Sequence, residues 1–197
     1  MALPKDFAVF VDRDGTINVD VDFLSSPSQL QLIPRSADAI RELNDLDIPV
    51  VVITNQSGIA RGLFTEKELH AVHEAMDAEL LRHKAKVLAY FYCPHHPNGN
   101  NSQYAVDCEC RKPKPGMLTE AKRNYGFDLT RSYVIGDKCI DIQTGKSVGA
   151  VSIQVATGYG AGLAGGTRPP LYRKPGAPTP DPVRGVPGGD GYTPMPA

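Results

Sequence analysis

Five short apolar runs punctuate the chain, at 7–11, 49–54, 87–92, 132–135 and 151–155. The first two read Phe-Ala-Val-Phe-Val and Val-Val-Val-Ile, continuous rather than alternating, as strands covered on both faces do. Helical periodicity fills the gaps. Residues 34–46 carry Ala37, Ile40 and Leu43 at helical spacing behind Pro34. Residues 65–83 open with the capping box Thr65-Glu66-Lys67-Glu68, and Leu69, Val72, Met76 and Leu80 make one apolar stripe. Residues 115–125 stop at Gly126 and residues 141–148 at Gly149, glycines suited to closing a helix. Strand and helix in alternation predict an α/β fold: a doubly wound, mostly parallel, Rossmann-like sheet.

Ligands of such sheets bind beyond the carboxyl ends of the strands. Three polar clusters fall there: Asp12-Arg13-Asp14, Thr54-Asn55-Gln56 and Gly136-Asp137. Carboxylates two residues apart on an extended strand point the same way, so Asp12 and Asp14 converge. Like charges that close need a cation or a shared proton, and the pair suits a nucleophile beside a proton carrier. The plainer alternative is a polar strand end whose Asp-Gly starts a turn. Asp137, with Asp141 shortly after, adds a third strand-end acid, giving the oxygen-rich setting that Mg²⁺ uses; alternatively it caps the next helix. Thr54-Asn55-Gln56-Ser57-Gly58 offers hydroxyl, amide and backbone donors to phosphate oxygens, or forms an ordinary turn. Arg111-Lys112-Pro113-Lys114-Pro115-Gly116 places a bidentate cation beside a point-charge cation on a proline-stiffened stretch, again with a solvated loop as the alternative.

Three of the four cysteines cluster. Cys93-Pro94-His95 and Cys108-Glu109-Cys110 are two tight pairs across a loop, the pattern of a tetrahedral, protein-filled, structural Zn²⁺ site. His96 competes for the ligand role, and the shared one-residue spacing favours His95. The zinc loop spans 93–110. Cys139 reads as a small buried residue, and His70, His73 and His83 as surface or boundary positions on the long helix.

Composition narrows the partners. Net charge is −1, which gives no electrostatic case for nucleic acid or membrane, and no apolar run approaches the ~20 residues of a bilayer span. The start lacks a signal-peptide pattern, so a cytoplasmic location is expected; no exposed apolar stripe demands a partner, so a monomer is the default. Residues 1–163 form one domain. Residues 164–197 are rich in proline and glycine, cannot supply a core, and read as a disordered or extended tail.

Assembled, these segments resemble the haloacid dehalogenase-like phosphatases, over roughly residues 6–160. The resemblance rests on Asp12-Arg13-Asp14-Gly15-Thr16, the cysteine–histidine loop running into Arg111-Lys112-Pro113-Lys114-Pro115, and Gly136-Asp137-Lys138. Within them the chain is similar to the zinc-loop subgroup, whose members act on heptose bisphosphates or on histidinol phosphate. Thr54-Asn55-Gln56-Ser57-Gly58-Ile59-Ala60-Arg61-Gly62 favours the heptose branch, since the histidinol branch typically has aspartate where Ser57 stands. The resemblance implies a Mg²⁺-dependent phosphatase without a separate cap domain, removing the 7-phosphate of a heptose 1,7-bisphosphate for nucleotide-activated heptose synthesis. It implies Asp12 as nucleophile, Asp14 as acid and base, and Thr54 and Lys112 as phosphoryl stabilisers. Asp12, Asp137 and the Asp14 backbone carbonyl would hold the metal. Asp20, Phe23, Asn55, Gln56, Ser57, Arg111 and Lys138 would meet the small phosphorylated sugar. At Asp22 and Phe23 the subgroup usually has glycine and tyrosine, so the sugar contact differs here. A non-catalytic zinc-loop binding module is the reading from another class, and the near-neutral charge argues against it.

Overall fold

Strand β1 (Val9–Val11) runs through the middle of a five-stranded sheet in the computed structural model, which describes residues 5–162. Its partners are β2 (Val50–Asn55) and β4 (Tyr133–Gly136), flanked by β3 (Ala89–Cys93) and β5 (Val151–Gln154). The order is β3-β2-β1-β4-β5 and every pairing is parallel. Helices α1 (Ser36–Asp45), α2 (Glu66–Arg82), α3 (Gly116–Tyr125) and α4 (Cys139–Ser147) lie along the connections. The chain winds outward to β3, then returns to β4 on the other side of β1. That reversal opens a crevice at the carboxyl ends of β1 and β4.

Side-chain alternation sorts the core into two layers. Val9, Val11, Val50 and Val52 face Ala37 and Ile40 of α1 and Met76 and Leu80 of α2. Phe10, Val51, Ile53 and Val134 face Met117, Leu118 and Ala121 of α3, with Phe127 edge-on to Phe10 at 6.1 Å. Because β1 and β2 bury both faces, they read as unbroken apolar runs. Thr65 and Glu68 form the expected capping box, and Gly126 closes α3 at φ 76°. The register sets Val11 beside both Val52 and Ile135, so the polar ends of three strands finish level.

Helix α1 starts at Ser36 behind Arg35, which sits at φ 69°, so Pro34 precedes the helix rather than opening it. Helix α4 begins at Cys139, two residues before the expected start, because the Asp141 carboxylate accepts the Lys138 backbone N–H at 3.0 Å. Cys139 is exposed on that first turn, correcting the expectation of burial. No helix among the described residues is long and apolar enough to cross a membrane. The expectation of an extended or disordered tail at 164–197 falls outside the described residues.

Candidate active site

Asp12 follows the last residue of β1 and is buried, as are Asp137 after β4 and Asp141 on the first turn of α4. One carboxylate oxygen from each lies within 4.8 Å of the others. Three buried acids repel, and Lys112 answers two of them. Its Nζ donates to Asp12 Oδ1 at 2.7 Å and to the Ile53 carbonyl at 2.9 Å, and sits 2.6 Å from Asp141 Oδ1. Asn55 at the end of β2 holds the Lys112 backbone in place: its Nδ2 donates to the carbonyl at 3.1 Å and its Oδ1 accepts the N–H at 3.0 Å. The Lys112–Pro113 peptide is cis. Burial pushes the Asp12 carboxyl up; Lys112 opposes it, and the net value is about 7. Burial works against the Lys112 charge, but Asp12 and Asp141 more than offset it and raise its pKa.

Asp137 is the acid of the three whose surroundings best fit a cation. Its Oδ2 accepts the Tyr159 N–H at 2.7 Å, while its Oδ1 is buried without a hydrogen-bond partner. Burial raises its pKa, with Lys138 opposing. Buried carboxylate oxygens beside an unspent lone pair fit a hard divalent cation such as Mg²⁺. Two glycines make room for this acid. A Cβ on Gly15, at φ 85°, or on Gly158 would come within 2.3 Å of Asp137 Oδ2.

Asp14 stands apart from that triad. Arg13 grips its carboxylate with Nη2 at 2.9 and 3.1 Å and Nε at 3.2 Å. Asn18 Nδ2 donates at 3.0 Å and Gln56 Nε2 at 2.9 Å. Burial pushes this carboxyl up, but Arg13 and the hydrogen bonds from Asn18, Arg13 and Gln56 outweigh it and hold the group below the usual range. The two acids of the first motif are differently wired, although the Asp14 charge still adds to the rise at Asp12. β1 ends at Val11, and the turn after it gives each carboxylate its own set of donors. Asp141 takes the place in the acidic triad that spacing alone suggested for the Asp14 carboxylate.

Around this centre, the buried Thr54 Oγ1 accepts from Gln56 Nε2 at 2.9 Å, and Ser57 lies half-buried on the same turn. Lys138 Nζ donates to Asp20 Oδ2 at 3.1 Å and lies 4.5 Å from the Tyr159 ring centroid. Asp20 Oδ1 also accepts the Asp22 N–H, with Asp22 at φ 67° and the Phe23 ring 38% exposed next to it. Arg111 is tied elsewhere: its Nη1 donates to the His95 carbonyl at 3.2 Å.

That carbonyl belongs to the second cluster. Cys93, His95, Cys108 and Cys110 bring their ligand atoms within 4.8 Å of one another. The sulfurs of Cys93 and Cys108 are 3.4 Å apart and those of Cys108 and Cys110 3.2 Å, too far for a disulfide. His95 Nδ1 points inward, 3.3 Å from Cys110 Sγ. His96 turns away, with Nε2 3.3 Å from Arg61 and Nδ1 accepting from Asn98. Three sulfurs and one imidazole nitrogen fit a structural Zn²⁺.

The HAD-hydrolase-like family model matches residues 109–180. The D-glycero-beta-D-manno-heptose-1,7-bisphosphate 7-phosphatase of Yersinia pestis is 43% identical over 136 residues, covering 69% of this chain and 72% of that protein. The Escherichia coli K12 protein of the same name is 43% identical over 150 residues, 76% of each chain. The chain belongs to the haloacid dehalogenase-like family. Its fold also matches the D,D-heptose 1,7-bisphosphate phosphatase of B. bronchiseptica, solved with magnesium and phosphate. There the TM-score is 0.72 at 39% identity, over 85% of this chain and 90% of that one.

This haloacid dehalogenase-like chain also has residues at its centre to which sequence reasoning gave no role. Arg13 is fully buried although a charged residue between two acids looks solvated. His73 is buried rather than peripheral: its Nε2 lies 3.2 Å from Arg13 Nη1, and its ring stacks on Tyr90 at 4.3 Å and 15°. The signal was available, since His73 is four residues after Leu69 and three before Met76, on the apolar stripe. His70 and His83 are exposed, as expected.

Two outcomes follow from this wiring. Gly15→Ala places a methyl on Asp137 in a left-handed backbone, so turnover should fall at least ~10-fold in a folded protein; wild-type rates would mean that Asp137 has freedom to move. Burial, then Arg13, lower the His73 pKa from 6.5 to about 3, so native His73 stays neutral while the unfolded chain takes up a proton below its own value. Stability from this site is thus complete above 6.5 and drains as pH falls toward 3. In urea melts, wild type should lose about 2 kcal/mol more than His73→Gln between about pH 7.5 and about pH 5. Parallel losses would remove His73 as the source.

Proposed function

We propose that this chain is a Mg²⁺-dependent phosphatase that removes the 7-phosphate of D-glycero-D-manno-heptose 1,7-bisphosphate. The observation that carries this reading is the buried acid triad with Lys112 at its centre and an unspent oxygen on Asp137. The names of the relatives, and the magnesium and phosphate of the B. bronchiseptica enzyme, supply the substrate and the metal. Asp12, Asp137 and the Asp14 backbone carbonyl would hold the cation, with Asp141 kept near by Lys112. Bound there, Mg²⁺ neutralises phosphate charge and keeps the Asp12 carboxylate ionised.

The chain's own residues then divide the work. An Asp12 oxygen attacks phosphorus in line, forming an aspartyl-phosphate as the bond to the sugar oxygen breaks. Asp14 serves the leaving oxygen as general acid, and next takes a proton from the water that opens the acyl phosphate. Since Arg13 keeps the resting carboxyl ionised, the first proton arrives with the substrate or from solvent. Lys112 and Thr54 brace the transferring oxygens, with Lys112 aimed by Asn55. Gln56 orients Asp14 and Asp20 orients Lys138; the sugar would lie there, with Phe23, Ser57 and Arg111 as further contacts. In this reading Zn²⁺ in the Cys93, His95, Cys108, Cys110 cluster fixes the loop that carries Arg111 and Lys112. Residues 1–163 form the catalytic unit, and 164–197 take no part in the chemistry. The enzyme acts as a cytoplasmic monomer without nucleic-acid or membrane partners, supported by a net charge of −1.

The experiment is phosphate release from both heptose 1,7-bisphosphate anomers and from histidinol phosphate, with and without Mg²⁺. The heptose esters should dominate and require the metal; equal rates on all three reduce the assignment to a general phosphatase. Asp12→Asn should lose at least ~10³-fold in turnover with fold and zinc content intact; substantial residual activity removes Asp12 as nucleophile. Extraction of verified zinc should raise KM through Arg111 or end turnover. Unchanged kinetics after that extraction would show that the loop keeps its shape unaided.

A further inference from the structure

A buried guanidinium is costly unless its donors are matched. Arg13 is fully buried, and its fork is divided between two partners. The Nε and Nη2 edge is spent on Asp14. On the other side, Nη1 meets His73 Nε2 at 3.2 Å. A guanidinium has no acceptor, so His73 Nε2 must be the lone-pair nitrogen and the ring is the neutral tautomer protonated on Nδ1. The ring is itself held. It stacks on Tyr90 from β3 and meets Tyr92 edge-on at 6.2 Å. The Tyr90 hydroxyl donates to Asp77 Oδ1 at 2.7 Å, one helical turn beyond His73 on α2. A continuous set of contacts therefore runs from α2 and β3, through His73 and Arg13, to the Asp14 carboxylate.

We propose that His73 is a positioning residue for the phosphatase reaction, fixing the Arg13 fork that aims Asp14. The inference rests on the reading of Asp14 as acid and base. An Asp14 carboxylate gripped along one edge by Arg13, with Asn18 and Gln56 as further donors, has its direction set by the plane of that guanidinium. His73 supplies the acceptor that keeps this plane from turning. Without it, Nη1 lies buried and unmatched, and the guanidinium swings to seek another acceptor, taking Asp14 with it.

Leaving-group dependence separates this from a role in packing alone. A sugar alkoxide needs protonation as it departs, whereas p-nitrophenolate leaves unaided. His73→Phe keeps a ring against Tyr90 but removes the acceptor. It should cut kcat/KM for heptose 1,7-bisphosphate about 10-fold and for p-nitrophenyl phosphate less than about 2-fold. His73→Gln, which restores a neutral acceptor, should recover the sugar ester to within about 3-fold of wild type. Should the phenylalanine variant fail to fold, His73→Met fills the space without an acceptor and serves the same comparison. Equal losses on both esters, or a glutamine variant no better than phenylalanine, would overturn the proposal. Asp14→Asn is the reference. If its loss in kcat/KM, which covers only the steps up to departure of the alcohol, is also confined to the sugar ester, the acid reading stands and the His73 results decide alone; if kcat/KM falls equally on both esters, that reading itself fails.

Discussion

Lys112 is the charge on which the centre depends. Three carboxylates buried within one small volume would drive each other to protonate or drive the loops apart. One ammonium, buried among them, spends its donors on Asp12 and the Ile53 carbonyl and lies against Asp141. It neutralises part of the charge and leaves a deficit, visible as the raised Asp12 and Asp137 values and the unmatched Asp137 oxygen. That deficit is what a divalent cation and a phosphate ester together can settle. The arrangement leaves room for a divalent cation, and Lys112 offsets part of the repulsion between the acids.

The remaining structure brings this lysine to those acids. It arrives from a loop a hundred residues after Asp12, and three constraints fix its approach. Asn55 at the end of β2 pairs with both of its backbone polar groups. The cysteine–histidine cluster gathers the loop immediately before it. Gly116 passes so close to Glu109 that a Cβ there would meet the carbonyl oxygen at 2.3 Å, which folds the loop tightly onto the start of α3. Asp14 is governed by a separate set of partners. The two acids of the first motif therefore sit in opposite electrostatic settings: Asp12 is raised by burial, and Asp14 is lowered by its arginine. Such a split suits distinct roles for chemically identical groups.

Much of this was legible in the chain because it is encoded locally. Continuous apolar runs mark β1 and β2, since a parallel strand is covered on both sides. The Thr65–Glu68 box marks the start of α2 through hydrogen bonds that span three residues. Paired spacing marks the cysteine–histidine cluster, and the choice of His95 over His96 follows the same spacing. His73 escaped because a histidine on an apolar stripe looks like a boundary residue until the buried cation beneath it is known. Cys139 shows the converse: its residue type favours burial, but it falls exposed on the first turn of α4.

By itself the sequence determined the elements, their order and the residue types gathered at the carboxyl edge of the sheet, because periodicity, caps and ligand spacing act over a few residues. Only the tertiary structure decided which acid faces which cation. The assignment of Asp141 rather than the Asp14 carboxylate to the triad, of Arg13 to Asp14, and of His73 to Arg13 depends on strands and helices meeting across long stretches of chain. Buried charges find partners through distance and desolvation, and neither is written in the spacing of residues along one strand.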